Sequence, residues 1–268
     1  MDLDAFHRHP PEARLLEGRV ALVTGATKGI GLATALELAA HGAAVGVNHR
    51  GRPEDAAPVV QAIEGAGGRA AAVDMDVADE QQVRRGFEQA AGELGTIDLL
   101  VANAGIENEA KLVDLELEDW ERVLRTNLTG AFLCAREAAR ALRANDAPGV
   151  LVFMSSVHEV IPWVGFSHYA ASKGGLKLFV QSIARELAPD HIRCVSVAPG
   201  AIETPINQAV IDDRAKYDEV LEEIPWGRWG QPEEVARAVA WLASDQADYV
   251  VGTTLFVDGG MTLYPKLI

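Results

Sequence analysis

The chain has 268 residues, and 49% of them are hydrophobic, which suffices for one large globular domain with its own core. A formal net charge of −15 excludes a nucleic-acid partner, because the phosphate backbone would be repelled. No apolar run reaches the roughly 18 residues that a membrane helix needs, and the N-terminus has acids and two prolines where a signal peptide needs basic and apolar residues. We therefore expect a cytoplasmic protein that does not bind membranes.

The cysteines and histidines do not indicate a metal site. Cys134 and Cys194 stand far apart without a CxxC pair, which predicts two reduced thiols in the core. His7 and His9 lie close together but have no matching second pair of ligands. We expect no bound metal.

Short apolar runs alternate with helical patterns from Arg19 onward, after an N-terminal extension over residues 1–18. We predict a single domain over residues 19–268. Its predicted strands cover residues 20–24, 43–48, 69–77, 97–105, 149–156, 192–200 and 253–260. Its predicted helices cover residues 33–42, a segment that ends near 67–68, residues 80–94 with Asp79 as N-cap, residues 117–145, a segment that holds Tyr169 and Lys173, and residues 232–244.

Apolar strands that contain few polar positions and alternate with helices are typical of a parallel sheet covered on both faces. The pattern therefore predicts an α/β fold: a doubly wound (Rossmann) sheet of seven parallel strands with helices on both faces. Such sheets bind ligands at the carboxyl ends of their strands. Candidate site residues are expected just after the strands.

The first predicted strand runs directly into TGATKGIG, residues 24–31. Glycines here allow a tight turn, a close approach of the backbone to a pyrophosphate, and a helix that begins next to the sheet. A glycine triplet alone is a weak signal, but its place between a strand and a helix strengthens it. The spacing is GxxxGxG rather than GxGxxG. The residues of this turn expected to bind a dinucleotide are Gly25, Thr27, Lys28, Gly29, Ile30 and Gly31.

The end of the second predicted strand indicates which dinucleotide is bound. An NAD site usually has an acid there for the ribose hydroxyls, whereas this chain has Asn48 and Arg50. Arg50 and Lys28 would bind a 2′-phosphate, unless both are solvated loop cations. Because two separate positions agree, we predict NADP as the cofactor, with NAD as the alternative.

Polar residues also follow the third and fourth predicted strands. Asp76, next to Val77, either bonds to the adenine amino group or caps the following turn. The turn Asn103, Ala104, Gly105 ends the fourth strand at the edge where ligands bind.

Two further polar residues, Asn127 and Ser156, are candidates for the site. Asn127 falls in a predicted helix, where an exposed Asn gains nothing, so it is either packed against the Asn103 turn or functional. Ser156 ends the fifth strand and faces the same edge, with Ser155 as the competing candidate.

Tyr169 and Lys173 are four residues apart, so on a helix they lie one turn apart on the same face. A nearby ammonium stabilises a phenolate and so lowers the pKa of a tyrosine. A bare YxxxK pair is more often an ordinary surface pair, because such spacings arise by chance. The rest of the chain has to decide between these interpretations.

The motifs TGxxxGxG, NAG, an internal Asn, a Ser followed thirteen residues later by YxxxK, and PGxIxT together resemble the short-chain dehydrogenase/reductase family. The resemblance covers residues 19–260 and implies an NAD(P)-dependent oxidoreductase. It implies that Tyr169 is the catalytic acid/base and that Lys173 binds the nicotinamide ribose and lowers the pKa of Tyr169. It also implies that Ser156, rather than Ser155, holds the reacting oxygen, and that Asn127 holds a water in a proton relay.

The same resemblance extends the cofactor site along the sheet edge. The segment after the sixth strand would contact the nicotinamide amide. The further residues implied to bind the cofactor are Asn103, Ala104, Gly105, Pro199, Gly200, Ile202 and Thr204.

SSVHEVIPW, HYAASKGG, ETPIN and DGGMTLYP resemble the family members that oxidise glucose at C1. This implies that Glu107 and His158 hydrogen-bond sugar hydroxyls near Ser156 and Tyr169; alternatively, both are polar loop residues that face water. One departure is Glu203, where Asn is expected. Its charge would either weaken the binding of cofactor or sugar or simply face solvent.

We predict hydride transfer between C1 of an aldose such as glucose and the nicotinamide, which gives a lactone. One alternative is a reductase of another carbonyl substrate, such as a 3-oxoacyl thioester, a ketone or a steroid. The other is a dinucleotide-binding protein without turnover.

Residues 203–230 are predicted to be irregular; the segment is acidic and holds Trp226 and Trp229. The family resemblance implies a mobile lid over the substrate, and the alternative is a solvated helix pair with buried tryptophans. The resemblance also suggests a homotetramer, with subunit contacts from the helices before and after the fifth strand and from the apolar tail, residues 263–268.

Overall fold

The structure, a computed structural model, describes residues 14–263, and these build one parallel sheet of seven strands. The strands are β1 (Val20–Val23), β2 (Ala44–His49), β3 (Arg69–Asp74), β4 (Leu99–Ala102), β5 (Gly149–Met154), β6 (Ile192–Pro199) and β7 (Thr254–Val257). They lie in the order β3-β2-β1-β4-β5-β6-β7, and neighbouring strands are parallel. The predicted doubly wound fold is confirmed.

Helices connect the strands and cover both faces of the sheet. They are α1 (Gly29–Ala40), α2 (Pro53–Gly65), α3 (Glu80–Leu94), α4 (Leu117–Leu124), α5 (Gly130–Ala144), α6 (Ser167–Leu187), α7 (Gln208–Ile211), α8 (Arg214–Glu222) and α9 (Pro232–Ala243). The predicted N-cap of α3 is confirmed, because Asp79 accepts hydrogen bonds from the N–H groups of Gln81 and Gln82, both at 2.9 Å.

The direction of strand order reverses at β1, which has β2 on one side and β4 on the other. A crevice opens at the carboxyl ends of two strands where the order reverses, because their connections run to opposite faces of the sheet. The glycine turn follows β1 and the Asn103 turn follows β4. Both turns therefore meet at the edge where a ligand would bind.

The core consists of two apolar layers, one on each face of the sheet. On one face, Leu38 of α1 and Val239 of α9 pack with Val45. On the other face, Phe87 of α3 and Leu176 of α6 pack with the strand residues. All six residues of β5 are buried, as expected for a central strand covered on both faces.

Two stretches differ from the sequence-based predictions. The helix predicted over residues 117–145 contains a π-helical turn at Arg125–Thr129, in which the N–H of Gly130 bonds to the carbonyl of Arg125. A single π-helical turn of five residues is too short to be recognised from apolar periodicity. The segment predicted to be irregular after Glu203 contains α7 and α8. Their short length gives too few turns for a clear apolar stripe.

Most of the predicted extension, including His7 and His9, lies outside the described residues, as do residues 264–268 of the tail. Leu16, near the end of the predicted extension, is 1% exposed and packs in the core. Its N–H donates to the carbonyl of His41 at 2.9 Å. In the described part of the chain, no helix combines the length and apolarity needed to cross a bilayer.

Candidate active site

The glycine turn after β1 has the shape of a phosphate cradle. Gly25 and Gly29 have φ angles of +63° and +54°, which side chains rarely tolerate. A Cβ on Gly31 would lie 2.1 Å from the carbonyl oxygen of Gly25, so the close approach requires glycine there. No side chain among the described residues caps the N-terminus of α1, so its free N–H groups fit a pyrophosphate.

The Asn103 turn holds the glycine turn in place. The Asn103 side chain donates to the carbonyls of Thr24 at 2.8 Å and Gly25 at 3.2 Å. In return, the Thr24 hydroxyl accepts from the N–H groups of Asn103 and Ala104, both at 2.9 Å. The predicted residues Asn103, Ala104 and Gly105 therefore lie at the site. The Asn103 side chain contributes by holding the glycine turn in position.

Asn48 lies at the site but points into the protein. Its amide donates to the carbonyls of His49, Val73 and Met75 at 2.9, 3.1 and 2.9 Å. Its Oδ1 accepts from the N–H of Gly25 at 2.9 Å. The side chain is thus fully engaged in shaping the glycine turn, whereas the sequence predicted a contact with the cofactor.

The cations predicted for the 2′-phosphate are both at the surface. Lys28 is exposed in the glycine turn, and Arg50 is 70% exposed after β2 with its Nη1 3.8 Å from Asp76. Asp76 Oδ1 accepts from the N–H of Ala78 at 2.9 Å, which is the turn-capping role considered as an alternative. Val77 beside it is buried. Arg50 therefore has a carboxylate nearby that a bound phosphate would have to displace or share.

The segment after β6 comes close to the glycine turn. A Cβ on Gly29 would lie 3.5 Å from the side chain of Thr204, so the two loops are in contact. Ile202 is buried, and its carbonyl accepts from the Asn207 side chain at 2.8 Å. Pro199 and Gly200 lead from β6 into this segment. The predicted cofactor-binding stretches are thus adjacent, and they fit a dinucleotide laid across the carboxyl edge.

Ser156, Tyr169 and Lys173 converge at the ends of β5 and α6. Lys173 is 4% exposed, donates from Nζ to the carbonyl of Met154 at 2.8 Å, and lies 5.5 Å from the centroid of the Tyr169 ring. The Ser156 hydroxyl lies close enough to the Tyr169 phenol to lower its pKa. Its neighbour Ser155 points elsewhere, to Glu159 at 2.6 Å. The geometry favours Ser156 over Ser155, as the spacing predicted.

The pKa of Tyr169 differs from the expectation. Burial, reinforced by the Glu107 carboxylate, raises the pKa of the Tyr169 phenol, and the Ser156 hydrogen bond offsets only part of this. Burial also lowers the pKa of Lys173 to about 8, against the opposing effect of Glu107 and Glu159. A desolvated cation beside the ring therefore does not by itself produce the predicted low tyrosine pKa.

Asn127 lies in the π-helical turn and is 2% exposed. Its Oδ1 accepts from the N–H of Ile106 at 2.8 Å, and its Nδ2 donates to the Ile106 carbonyl at 2.9 Å and to Ser172 at 3.3 Å. The side chain thus fixes the backbone that follows the Asn103 turn, which is the packing role considered for it. The predicted role in a water relay stays a prediction.

Glu107 and His158 both lie beside Tyr169. Burial raises the pKa of Glu107 to about 7, although the charge of Lys173 counteracts part of the shift. The His158 ring lies 6.1 Å from the Tyr169 ring, edge to face. Burial lowers the pKa of His158, so the imidazole is neutral at physiological pH. These two side chains are therefore at the reacting centre rather than in open solvent.

Three aromatic rings form a stack that the sequence did not reveal. Trp163 lies between Phe166, at 3.7 Å between centroids, and His158, at 4.3 Å, and the rings of each pair are nearly parallel. The Tyr169 ring meets Trp163 edge-on at 5.9 Å. The stack lies in a segment without regular periodicity. The only signal in the sequence was therefore the presence of Trp163 and Phe166 in residues 160–166.

Two carboxylates were also missed or misjudged. Glu159 has a fully buried side chain beside Ser155, although acids rarely occupy such a place. Glu203 accepts from the hydroxyl of Tyr217 at 3.3 Å and from Gln231 at 2.9 Å, so it faces α8 rather than open solvent. Among residues 14–263, no group of three or more His, Cys, Asp or Glu side chains is placed to hold a metal ion.

A family model described as enoyl-(acyl carrier protein) reductase matches residues 25–262 of the chain. The chain is similar to 3beta-hydroxysteroid dehydrogenase 1 of Eggerthella lenta, with 47% identity over 93% of this chain and 96% of that protein. It is also similar to glucose 1-dehydrogenase 2 of Bacillus subtilis, with 40% identity over 94% of this chain and 97% of that protein.

Among solved structures, the chain resembles a gluconate 5-dehydrogenase from Burkholderia cenocepacia J2315 in complex with NADP and tartrate. The TM-score is 0.90 at 38% identity, and the match covers 97% of this chain and 100% of that one. Similarity over nearly the whole length accompanies a site where Ser156, Tyr169 and Lys173 meet. The chain therefore belongs to the short-chain dehydrogenase/reductase family of oxidoreductases.

Proposed function

We propose that this protein oxidises the C1 hydroxyl of an aldose such as glucose to the lactone, with NADP as cofactor. The observation that carries the proposal is the position of Glu107, whose carboxyl interacts electrostatically with both Tyr169 and Lys173. A sugar offers several hydroxyl groups that a carboxylate can accept from. An apolar substrate would leave the same half-buried carboxyl without a partner, which costs binding free energy.

His158 supports the proposal through its protonation state. Its Nδ1 lies 3.2 Å from the carbonyl of Ile161, and because a carbonyl can only accept, Nδ1 carries the proton of the neutral ring. Nε2 is then an acceptor for a second sugar hydroxyl. Stacking on Trp163 fixes the plane of the ring. Glu107 and His158 together give a polar pair suited to a polyol.

In this reaction the residues of the chain carry out the proton transfer. Tyr169 takes the proton of the C1 hydroxyl, and Ser156 donates a hydrogen bond to the same oxygen. Lys173 keeps a positive charge beside the Tyr169 phenolate and so stabilises it until it takes the proton. NADP⁺, when bound, supplies the hydride acceptor.

The preference for NADP rests on two exposed cations, Lys28 in the glycine turn after β1 and Arg50 directly after β2. The last residues of β2 are Asn48 and His49 rather than an acid, although the Asp76 carboxylate lies 3.8 Å from Arg50. The related gluconate 5-dehydrogenase was solved with NADP. NAD is the alternative cofactor.

A second candidate is oxidation of a 3β-hydroxysteroid, which the 47% identity to the Eggerthella lenta enzyme favours. The turn next to the site offers apolar surface for such a substrate, because Val164 is 89% exposed beside the stacked Trp163 and Phe166. In that case Glu107 would face a single hydroxyl on an otherwise apolar molecule.

One experiment separates these candidates: steady-state kinetics with glucose, a 3β-hydroxysteroid and a 3-oxoacyl thioester, each with NADP(H) and NAD(H). We expect glucose with NADP⁺ to give the highest kcat/KM. Glu107→Gln is expected to raise the KM for glucose about tenfold or more, because a charge-assisted hydrogen bond contributes about 1.5–3 kcal/mol. The matched control Glu109→Gln changes an exposed acid two residues away and should leave KM unchanged. A higher kcat/KM for the steroid would overturn the sugar assignment.

Residues 203–230 are further proposed to act as the substrate lid of the single domain. Tyr217 of α8 stacks on the buried Trp229 at 5.2 Å and bonds to Glu203, beside the predicted nicotinamide contacts Ile202 and Thr204. Tyr217 therefore attaches α8 to Glu203 and Trp229 at the two ends of the segment. The helices α7 and α8 have no buried residues that would hold the remainder of the segment in place.

We propose a homotetramer. Phe132 of α5 and Leu178 of α6 are exposed apolar residues on the two helices that flank β5 in the sequence. Trp241 of α9 is exposed on the opposite face of the sheet. Large apolar side chains of this kind favour burial between subunits. A cytoplasmic location remains the prediction made from the sequence.

A further inference from the structure

Glu159 is a buried carboxylate with three defined partners. Its side chain is 0% exposed; Oε2 accepts from the hydroxyls of Ser155 at 2.6 Å and Thr254 at 3.3 Å. Oε1 lies 3.4 Å from Nζ of Lys177. A carboxylate is costly to bury unless donors or cations surround it. Two hydroxyls and one ammonium surround the carboxyl of Glu159.

These partners connect three elements around the reacting residues. Ser155 precedes Ser156 at the end of β5, Thr254 begins β7, and Lys177 lies on α6. Tyr169, Lys173 and Lys177 follow one another at intervals of four residues, so they share one face of α6. Glu159 therefore ties the strand end that carries Ser156 to the helix that carries Tyr169 and Lys173.

Glu159 also supplies charge. The buried Lys173 ammonium donates to a neutral carbonyl, that of Met154. The charged or titratable groups that face Lys173 are Glu107, Glu159 and Tyr169, and the two carboxylates favour its protonated form. Removal of either carboxylate therefore favours loss of the proton from Lys173.

We propose that Glu159 is a positioning residue for the oxidoreductase reaction, which sets the place of Ser156 against α6 and places a buried negative charge on the face of α6 that carries Lys173 and Lys177. The inference rests on the proposed roles of Ser156, Tyr169 and Lys173, but not on the identity of the substrate. The hydrogen bonds and the ion pair of Glu159 go to Ser155, Thr254 and Lys177, so it acts through these partners.

The test uses Glu159→Gln and Lys177→Met in the full chain. The first variant keeps an oxygen that accepts from Ser155 but removes the negative charge; the second keeps the carboxylate and removes a positive charge one helical turn from Lys173. Two readouts are followed across the alkaline range: kcat with glucose and NADP⁺, and NADPH affinity from nucleotide fluorescence. The second readout needs no substrate, so it stands even where glucose is not oxidised and the sugar proposal fails.

For Glu159→Gln, the pH at which kcat and NADPH affinity decline is expected to fall by about one unit, because a nearby charge shifts a pKa by this order. For Lys177→Met, the same pH is expected to rise. A purely structural Glu159 would lower thermal stability in both variants and leave both pH values where they are in the unmodified protein. An unchanged alkaline limb in Glu159→Gln, or a shift of both variants in the same direction, would overturn the proposal.

Discussion

Asn48 and Gly25 are joined by a hydrogen bond of 2.9 Å from the glycine N–H to the asparagine Oδ1. The other polar atom of the amide bonds to three carbonyls at the ends of β2 and β3. The glycine turn is therefore fastened to the sheet by one side chain, and the shape of the phosphate cradle depends on it.

Replacement of Asn48 by Ala should weaken both cofactor binding and folding. Buried backbone groups would lose their partners, at about 1–3 kcal/mol for an unsatisfied group. We expect the free energy of unfolding to fall by about 2–3 kcal/mol and the Kd for NADPH to rise, as measured by urea denaturation and nucleotide fluorescence. The control is Asn145→Ala, which removes only a local bond to the Ala141 carbonyl at an exposed position. Wild-type NADPH affinity in Asn48→Ala would show that the cradle forms without this bond.

Arg50 is expected to distinguish NADP from NAD. Arg50→Ala should raise the Kd for NADPH about ten- to a hundredfold, since a hydrogen bond to a charged group contributes about 1.5–3 kcal/mol. The Kd for NADH should stay within about twofold. Isothermal titration with each dinucleotide measures both values.

Arg52 provides the matched control for this measurement. It is about as exposed as Arg50, but it pairs with Asp55 at 3.0 Å and Glu54 at 3.4 Å. Arg52→Ala should leave the NADPH affinity near its original value. Equal losses in both variants would indicate a diffuse electrostatic attraction instead of a 2′-phosphate contact.

Tyr169→Phe removes one hydroxyl from the reacting centre. We expect kcat to fall by about 10²- to 10⁴-fold, the usual contribution of a general acid or base. NADPH affinity should be retained, because the ring and its contacts with Trp163 and His158 remain. Near-normal turnover in this variant would refute the acid/base assignment.

Glu107 predicts opposite effects of pH on stability and on substrate binding. Its pKa of about 7 in the folded protein lies above the ordinary value of 4.5, so the folded state binds more protons between these values. Stability from this group is thus full below about pH 4.5 and is lost as pH rises through about 7. Glucose binding should strengthen over the upper part of this range, as the carboxylate forms and accepts hydrogen bonds.

The difference between the unmodified protein and Glu107→Gln isolates this group, because the other titrating residues cancel. The unfolding free energy of the unmodified protein, minus that of Glu107→Gln, should decline from acid to neutral pH. Over the same range the KM for glucose should fall only in the unmodified protein. Parallel pH profiles for the two proteins would show that Glu107 does not titrate in this range.

The sequence predicted the sheet, its strands and the residues that meet at its carboxyl edge, because these follow from apolar periodicity and from glycine placement. Gly25, Asn103, Ser156 and Tyr169 all lie there. Backbone direction alone brings these positions together in a parallel sheet. Their proximity therefore needed no knowledge of side-chain packing.

What could not be predicted depends on packing between distant segments. Whether Asn48 faces the cofactor or the interior is set by free carbonyls on β3, and Glu159 meets Thr254 from the other end of the chain. The pKa of Tyr169 was expected to be low because of one nearby cation, but desolvation and the Glu107 carboxylate raise it in the folded protein. The π-helical turn around Asn127 is only five residues long, which is too short to be recognised from apolar periodicity.

Glucose carrying deuterium at C1 tests the proposed reaction most directly. Oxidation at C1 with NADP⁺ predicts that deuterium appears on the reduced nicotinamide, that the sugar becomes the lactone, and that the hydride step slows. Absence of nicotinamide reduction, or reduction with all deuterium retained in the sugar product, would contradict oxidation at C1.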